Sequence, residues 1–204
     1  MKNFILLLLL FFNASILANN QDWKLAKNKD GIKVYQIQKN GFRLKHQKAS
    51  TIINASIPDL LAVLSDNNSC SMWIYHCISN QMISQPNSHS RIYYTVIDSP
   101  LFFKDRDMYL LSQITFNTDN QQALIELKPF ENNANEHKDR VRIKEISMFW
   151  TLTPINENQT NLVYEVYVEP LIPFKRIVNK FILDSLYYTL KKVTKAVKIS
   201  NLKN

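Results

Sequence analysis

The residues best suited to chemistry in this chain are four histidines, two cysteines and a few acids, and their spacing assigns them little. His46, His76, His89 and His137 are scattered. None forms the His-Glu-x-x-His pair that sets two imidazoles on one helical turn, and two cysteines fall short of the usual structural zinc site. No metal and no cofactor is assigned. Cys70 and Cys77 could join in an oxidising compartment and close a small loop around Trp73; a buried free thiol at Cys77 is the alternative. His76, Asp98, Asp105 and Asp107 could serve as general acid or base, but no spacing identifies a pair. Gly31 and Gly41 are the only glycines, too few for a phosphate cradle, a dinucleotide fingerprint or a nucleophile elbow. Nucleotide-dependent chemistry is set aside with them, and no catalytic residue is assigned.

The elements that must position any site are mostly strands. Lys29-Asp30-Gly31 is a turn that opens Ile32 to Gln38, where apolar and polar residues alternate as in a half-buried strand. A second strand follows Asn40-Gly41, from Phe42 to Ile53, and the two read as a hairpin. Ser56 can cap a helix with Pro58 in its first turn and Leu60, Leu61, Val63 and Leu64 on its apolar face. Six β-rich runs come next: 78–83, 91–97, 108–116, 123–127, 141–153 and 162–168. After Pro173 the apolar residues Phe174, Ile177, Val178, Phe181, Ile182, Leu186, Leu190, Val193 and Val197 recur every three or four positions. That spacing predicts an amphipathic helix over 174–200, about 40 Å long if continuous. Strands gathered between helical ends point to one α+β domain on an antiparallel sheet, with no linker to split it.

Compartment and charge come from the two ends. Lys2, the apolar run Phe4 to Phe12 and the small-residue exit at Ala18 have the order of a secretory signal peptide over 1–18, with an uncleaved anchor as the alternative. Residues 19–204 are then one domain in the periplasm or outside the cell. The formal charge of +8 becomes +7 without Lys2. Many cations follow Phe174, among them Lys175, Arg176, Lys180, Lys191, Lys192, Lys195 and Lys198, with Asp184 the only acid there. Outside the cytoplasm nucleic acid is not an expected partner. The charge suits transient contact with anionic lipid headgroups, or is a solvated helix face.

The order of these residues resembles the START (StAR-related lipid-transfer) domain family of the helix-grip superfamily. The resemblance lies in Trp23 with Asp30-Gly31-Ile32-Lys33-Val34-Tyr35, in Trp73 with Cys77, and in Tyr93-Tyr94 leading to Ser99-Pro100 and Arg106-Asp107. It continues through Trp150, Pro154, Tyr164, the corner Glu169-Pro170-Leu171-Ile172-Pro173 and Asn179. It implies an N-terminal helix, then a curved antiparallel sheet closed by the long C-terminal helix around an apolar cavity holding one lipid or similar molecule. Trp73, Tyr93, Thr95, Met108, Leu110, Ser112, Trp150 and Tyr164 are the candidates for the wall, with Phe181, Leu186 and Leu190 from the helix. Each is equally suited to ordinary core packing. Arg106 and Asp107 match a signature of that family and are expected to act as a structural ion pair or turn anchor in preference to binding a headgroup directly. Sterol-binding members are similar to one another in a buried acid before the Arg-Asp pair and an arginine after it; here those neighbourhoods hold Tyr93-Tyr94 and Leu111-Ser112-Gln113. Tyrosine hydroxyls, Thr95, Ser112 and Gln113 could still bind a hydroxyl, carbonyl or phosphate. The resemblance therefore implies a monomeric lipid-binding or lipid-transfer protein. The alternatives are an enzyme resembling polyketide cyclases and aromatases of the same superfamily, and a cell-envelope lipid sensor.

Overall fold

The structure is a computed structural model that describes residues 22–66, 70–131 and 137–201. The expected signal peptide lies outside the described residues. Ten strands form one curved sheet: β1 (Lys24–Lys29), β2 (Ile32–Ile37), β3 (His46–Ile53), β4 (Cys77–Asn87), β5 (Ser90–Ile97), β6 (Asp105–Asn117), β7 (Gln122–Pro129), β8 (Arg140–Arg142), β9 (Ile146–Asn156) and β10 (Gln159–Val168). Nine of them run in the order β1-β2-β3-β10-β9-β7-β6-β5-β4, all antiparallel. The sheet is open, with β1 and β4 at its edges, and α3 (Lys175–Asn201) lies along its concave side. This is the α+β helix-grip arrangement.

Local chemistry accounts for the punctuation. Asp30 and Gly31 both have positive φ, which gives the β1–β2 turn its reversal. Ser56 caps α1 (Ile57–Leu64) in a capping box with Asp59, and Pro58 stands where no helical N–H partner is needed. α2 (Cys70–Trp73) is a single turn, and Cys70 is disulfide-bonded to Cys77 at the start of β4, so the free-thiol alternative does not hold.

Four expectations are corrected. The residues after Trp23 form β1, not a helix; most of its side chains are exposed, so no burial pattern marked it. The expected run 141–153 splits at Ile143, because β8 pairs parallel to the start of β6 while β9 begins at Ile146. The sheet is therefore not purely antiparallel. Phe42 to Lys45 precede β3 instead of belonging to it, with Gly41 at φ 81 turning the chain. Arg106 and Asp107 do not pair with each other, since neighbours on a strand point to opposite faces. Asp107 instead holds Arg142 in a bidentate pair at 2.7 and 3.0 Å and accepts from the Tyr94 hydroxyl at 2.7 Å. Burial pushes its carboxyl up, but these donors outweigh it and keep it below the usual carboxylate range.

The corner before α3 is tied from two sides. Arg43 forms two bonds of 2.6 Å to Glu169 and a third to the Ile172 carbonyl. Arg106 Nε donates to the Pro170 carbonyl at 2.9 Å. Further along, Lys27 pairs with Asp184, and Asp30 accepts from both Tyr187 and Lys191. These contacts hold the helix against the β1–β2 hairpin.

Candidate functional site

The antiparallel register sets which side chains share a face. Thr95 lies opposite Met108, Tyr93 opposite Leu110, and Arg91 opposite Ser112. With a period of two, residues 91, 93, 95 and 97 of β5 and 106, 108, 110 and 112 of β6 point to the concave side. Between this face and α1, α2 and α3 lies a cavity of about 450 Å³, within the range of small-molecule sites. Trp73, Tyr93, Thr95, Met108, Leu110, Ser112, Trp150, Tyr164, Phe181 and Leu186 all line it. Leu190 does not; it is fully buried in the core cluster with Ile32, Val34 and Ala49.

One wall is aromatic. Trp150 stacks on Tyr164 with ring centroids 3.8 Å apart, and Trp73 meets Trp150 edge-on at 6.3 Å. The Tyr164 hydroxyl donates to Met148 Sδ, and burial pushes it up, keeping it protonated. Trp73 Nε1 donates to the Asp66 carbonyl, which orients the indole above the cavity.

The polar points are few. Thr95 Oγ1 donates to Asn80 Oδ1 at 2.7 Å, Thr189 Oγ1 accepts from the Tyr75 amide at 3.1 Å, and Ser185 Oγ is buried with no partner among the described residues. The charged side chains at the wall are Arg91 and Arg106, with His89 beside Arg91; no Asp or Glu lines it among the described residues. Arg106 was expected as a structural anchor ahead of a headgroup contact, and it lines the wall. The signal was present, because Met108, Leu110 and Ser112 facing inward oblige Arg106 to face inward too. His76 and Asp98 pair at 2.7 Å, yet neither lines the cavity. Among the described residues no cluster of three or more His, Cys, Asp or Glu could hold a metal ion.

Near Arg106 the surface is apolar. Leu101, Phe102, Leu171, Phe174 and Ile177 are exposed, Phe102 to 85%. Phe103 links the loop to the helix start, 5.0 Å from Phe102 and 6.1 Å from Phe174 between ring centroids. No helix among the described residues is long and apolar enough to cross a membrane.

The START domain model matches residues 9–194, beginning within the residues expected to form the signal peptide. The chain belongs to the START domain family. An uncharacterized protein of Pseudomonas aeruginosa is 30% identical over 173 residues, 84% of each chain. Among solved structures, a STAR-related lipid transfer protein fragment from Xanthomonas axonopodis superposes with TM-score 0.79 at 21% identity, covering 86% of this chain and 98% of that one. Human StAR-related lipid transfer protein 5 gives 0.78 at 16% identity, covering 88% of both. START domains bind lipids or other hydrophobic ligands, and the cavity under α3 is where this one has room for them.

Proposed function

We propose that this START domain is an exported carrier that encloses one apolar molecule and exchanges it at a membrane without changing it chemically. The observation that carries this reading is the apolar cavity itself, whose wall holds no carboxylate among the described residues. Moving a 16-carbon chain from a bilayer into water costs roughly 13 kcal/mol at about 0.8 kcal/mol per CH₂. A matched apolar wall removes most of that barrier, so ligand passes reversibly between cavity and bilayer.

A cyclase-like activity would require an acid or base positioned at the ligand. The His76–Asp98 pair is the nearest approach to one, and it stands outside the wall. Export is supported by the apolar segment from Phe4 to Phe12 and by the Cys70–Cys77 disulfide, which suits an oxidising compartment. Exposed Phe102, Leu171 and Phe174 would enter the headgroup layer, with Lys104, Lys175 and Arg176 beside them in the chain for anionic lipid.

The test is uptake by delipidated, monomeric protein. Native mass spectrometry should show one molecule of palmitate, phospholipid or hydrophobic dye per chain. If none of these, nor a sterol, is taken up, the carrier reading fails.

A further inference from the structure

Arg106 is only 4% exposed, yet it carries a full charge at the wall of an apolar cavity. Burying a cation is costly unless an anion or several hydrogen bonds compensate it. Its bonds go to neutral oxygens: Nε to the Pro170 carbonyl, and Nη1 to the Lys104 carbonyl and to Ser99 Oγ. Nη2 takes part in none of these bonds. The nearby acids are otherwise placed. Glu169 is held by Arg43, Asp107 by Arg142 on the opposite face, and Asp105 shares that opposite face. Burial pulls the guanidinium below its usual value, against a smaller opposing pull from Asp105, which makes no hydrogen bond to it.

We propose that Arg106 is the headgroup site of the cavity, taking the carboxylate or phosphate of the bound molecule, so that the ligand is an acidic amphiphile and not a neutral lipid. This rests on the carrier reading and names its substrate class. Guanidinium presents paired N–H groups that match a planar carboxylate or two phosphate oxygens, and the pair strengthens where water is excluded. Ser99 Oγ, 3.4 Å from Nη1, also lines the cavity and offers a second contact. The tail would run over Ile97 and Met108 toward Trp150, away from the charge.

The experiment compares three molecules with one tail, palmitate, palmitoyl lysophosphatidic acid and methyl palmitate, and adds acetate and inorganic phosphate as tail-less anions. The two acids should bind wild type at least tenfold more tightly than the ester. Acetate and phosphate should neither bind nor compete at millimolar concentration. Arg106→Met should bring acid and ester within threefold of each other.

Because Arg106 also braces the corner, Ser99→Asp provides a variant that keeps the arginine. It sets a carboxylate beside the guanidinium and should remove the preference for acids while raising Tm. Equal binding of acid and ester by wild type, a preference that survives Ser99→Asp, or competition by phosphate alone would each overturn the headgroup site. The first two leave the carrier reading intact, whereas failure of all three tailed molecules to bind would remove the carrier reading itself.

Discussion

His46 stacks on Tyr167, with ring centroids 4.6 Å apart and planes 22° apart, and Phe42 meets both rings edge-on. Burial, with a smaller contribution from Lys39, lowers the imidazole from 6.5 to about 4. The unfolded chain therefore binds a proton that the folded chain refuses between those values. Stability from this group is complete above pH 6.5 and is lost as pH falls toward 4, by at most about 3 kcal/mol. Urea denaturation at pH 7.5 and 5 should show this loss, and His46→Phe should reduce the slope. An unchanged slope in the variant would assign the pH dependence to other groups.

Leu190 and Ser112 separate core from cavity. Leu190 is fully buried outside the wall, so Leu190→Ala should cost about 2–5 kcal/mol in stability while one ligand still binds per chain. Ser112 lines the cavity, and Ser112→Trp should cut uptake of palmitate at least tenfold with Tm kept within a few degrees. Thr95→Trp should act similarly but cost more stability, because Thr95 also bonds Asn80. Calorimetry and dye displacement read both effects.

Reducing the Cys70–Cys77 bond frees a short loop that holds Trp73 over the ligand space. Loop-closure entropy for so small a ring predicts a loss of about 2–3 kcal/mol. Thermal melts with and without dithiothreitol measure it. Ligand release should also quicken in the reduced protein, because Trp73 forms part of the wall.

Membrane contact should depend more on the apolar end than on the basic tail. Lys191 is held by Asp30 and Lys192 by the Ser71 carbonyl, leaving Lys195 and Lys198 as the exposed pair of the expected basic face. Phe102→Ser with Phe174→Ser should weaken vesicle binding at least tenfold, since a buried phenyl ring contributes about 1.5–3 kcal/mol. Lys195→Glu with Lys198→Glu should change binding only at low salt, where charges are poorly screened. Vesicle sedimentation at two salt concentrations distinguishes them.

Much of this was legible where burial is one-sided. The alternation from Ile32 to Ile37 and the three-four spacing after Phe174 survive as β2 and α3, because each element has one dry face. Where both faces are wet, as in β1, composition carries no period. Leu190 was misplaced for a different reason: α3 meets the hairpin core and the cavity with the same apolar stripe, and periodicity does not say which surface a residue meets. Arg106 was ranked as a structural anchor ahead of a headgroup contact because an arginine beside an acid in sequence looks like half of an ion pair. The true partners, such as Arg43 with Glu169, are joined only by the register of β3, β10 and the corner.

That register also governs how the chain can assemble. Thr160 donates to the carbonyl of Ala55, 105 residues away, and β10 supplies the ladder to which β3 pairs, with the β1–β2 hairpin beyond it. Until β10 exists, β1 to β3 have an unpaired edge and no helix to cover them. Closing so long a loop before its contacts repay the entropy places this topology among slow folders, in the millisecond-to-second range, roughly. A chain truncated before β10 should thus expose that edge to aggregation or to a chaperone.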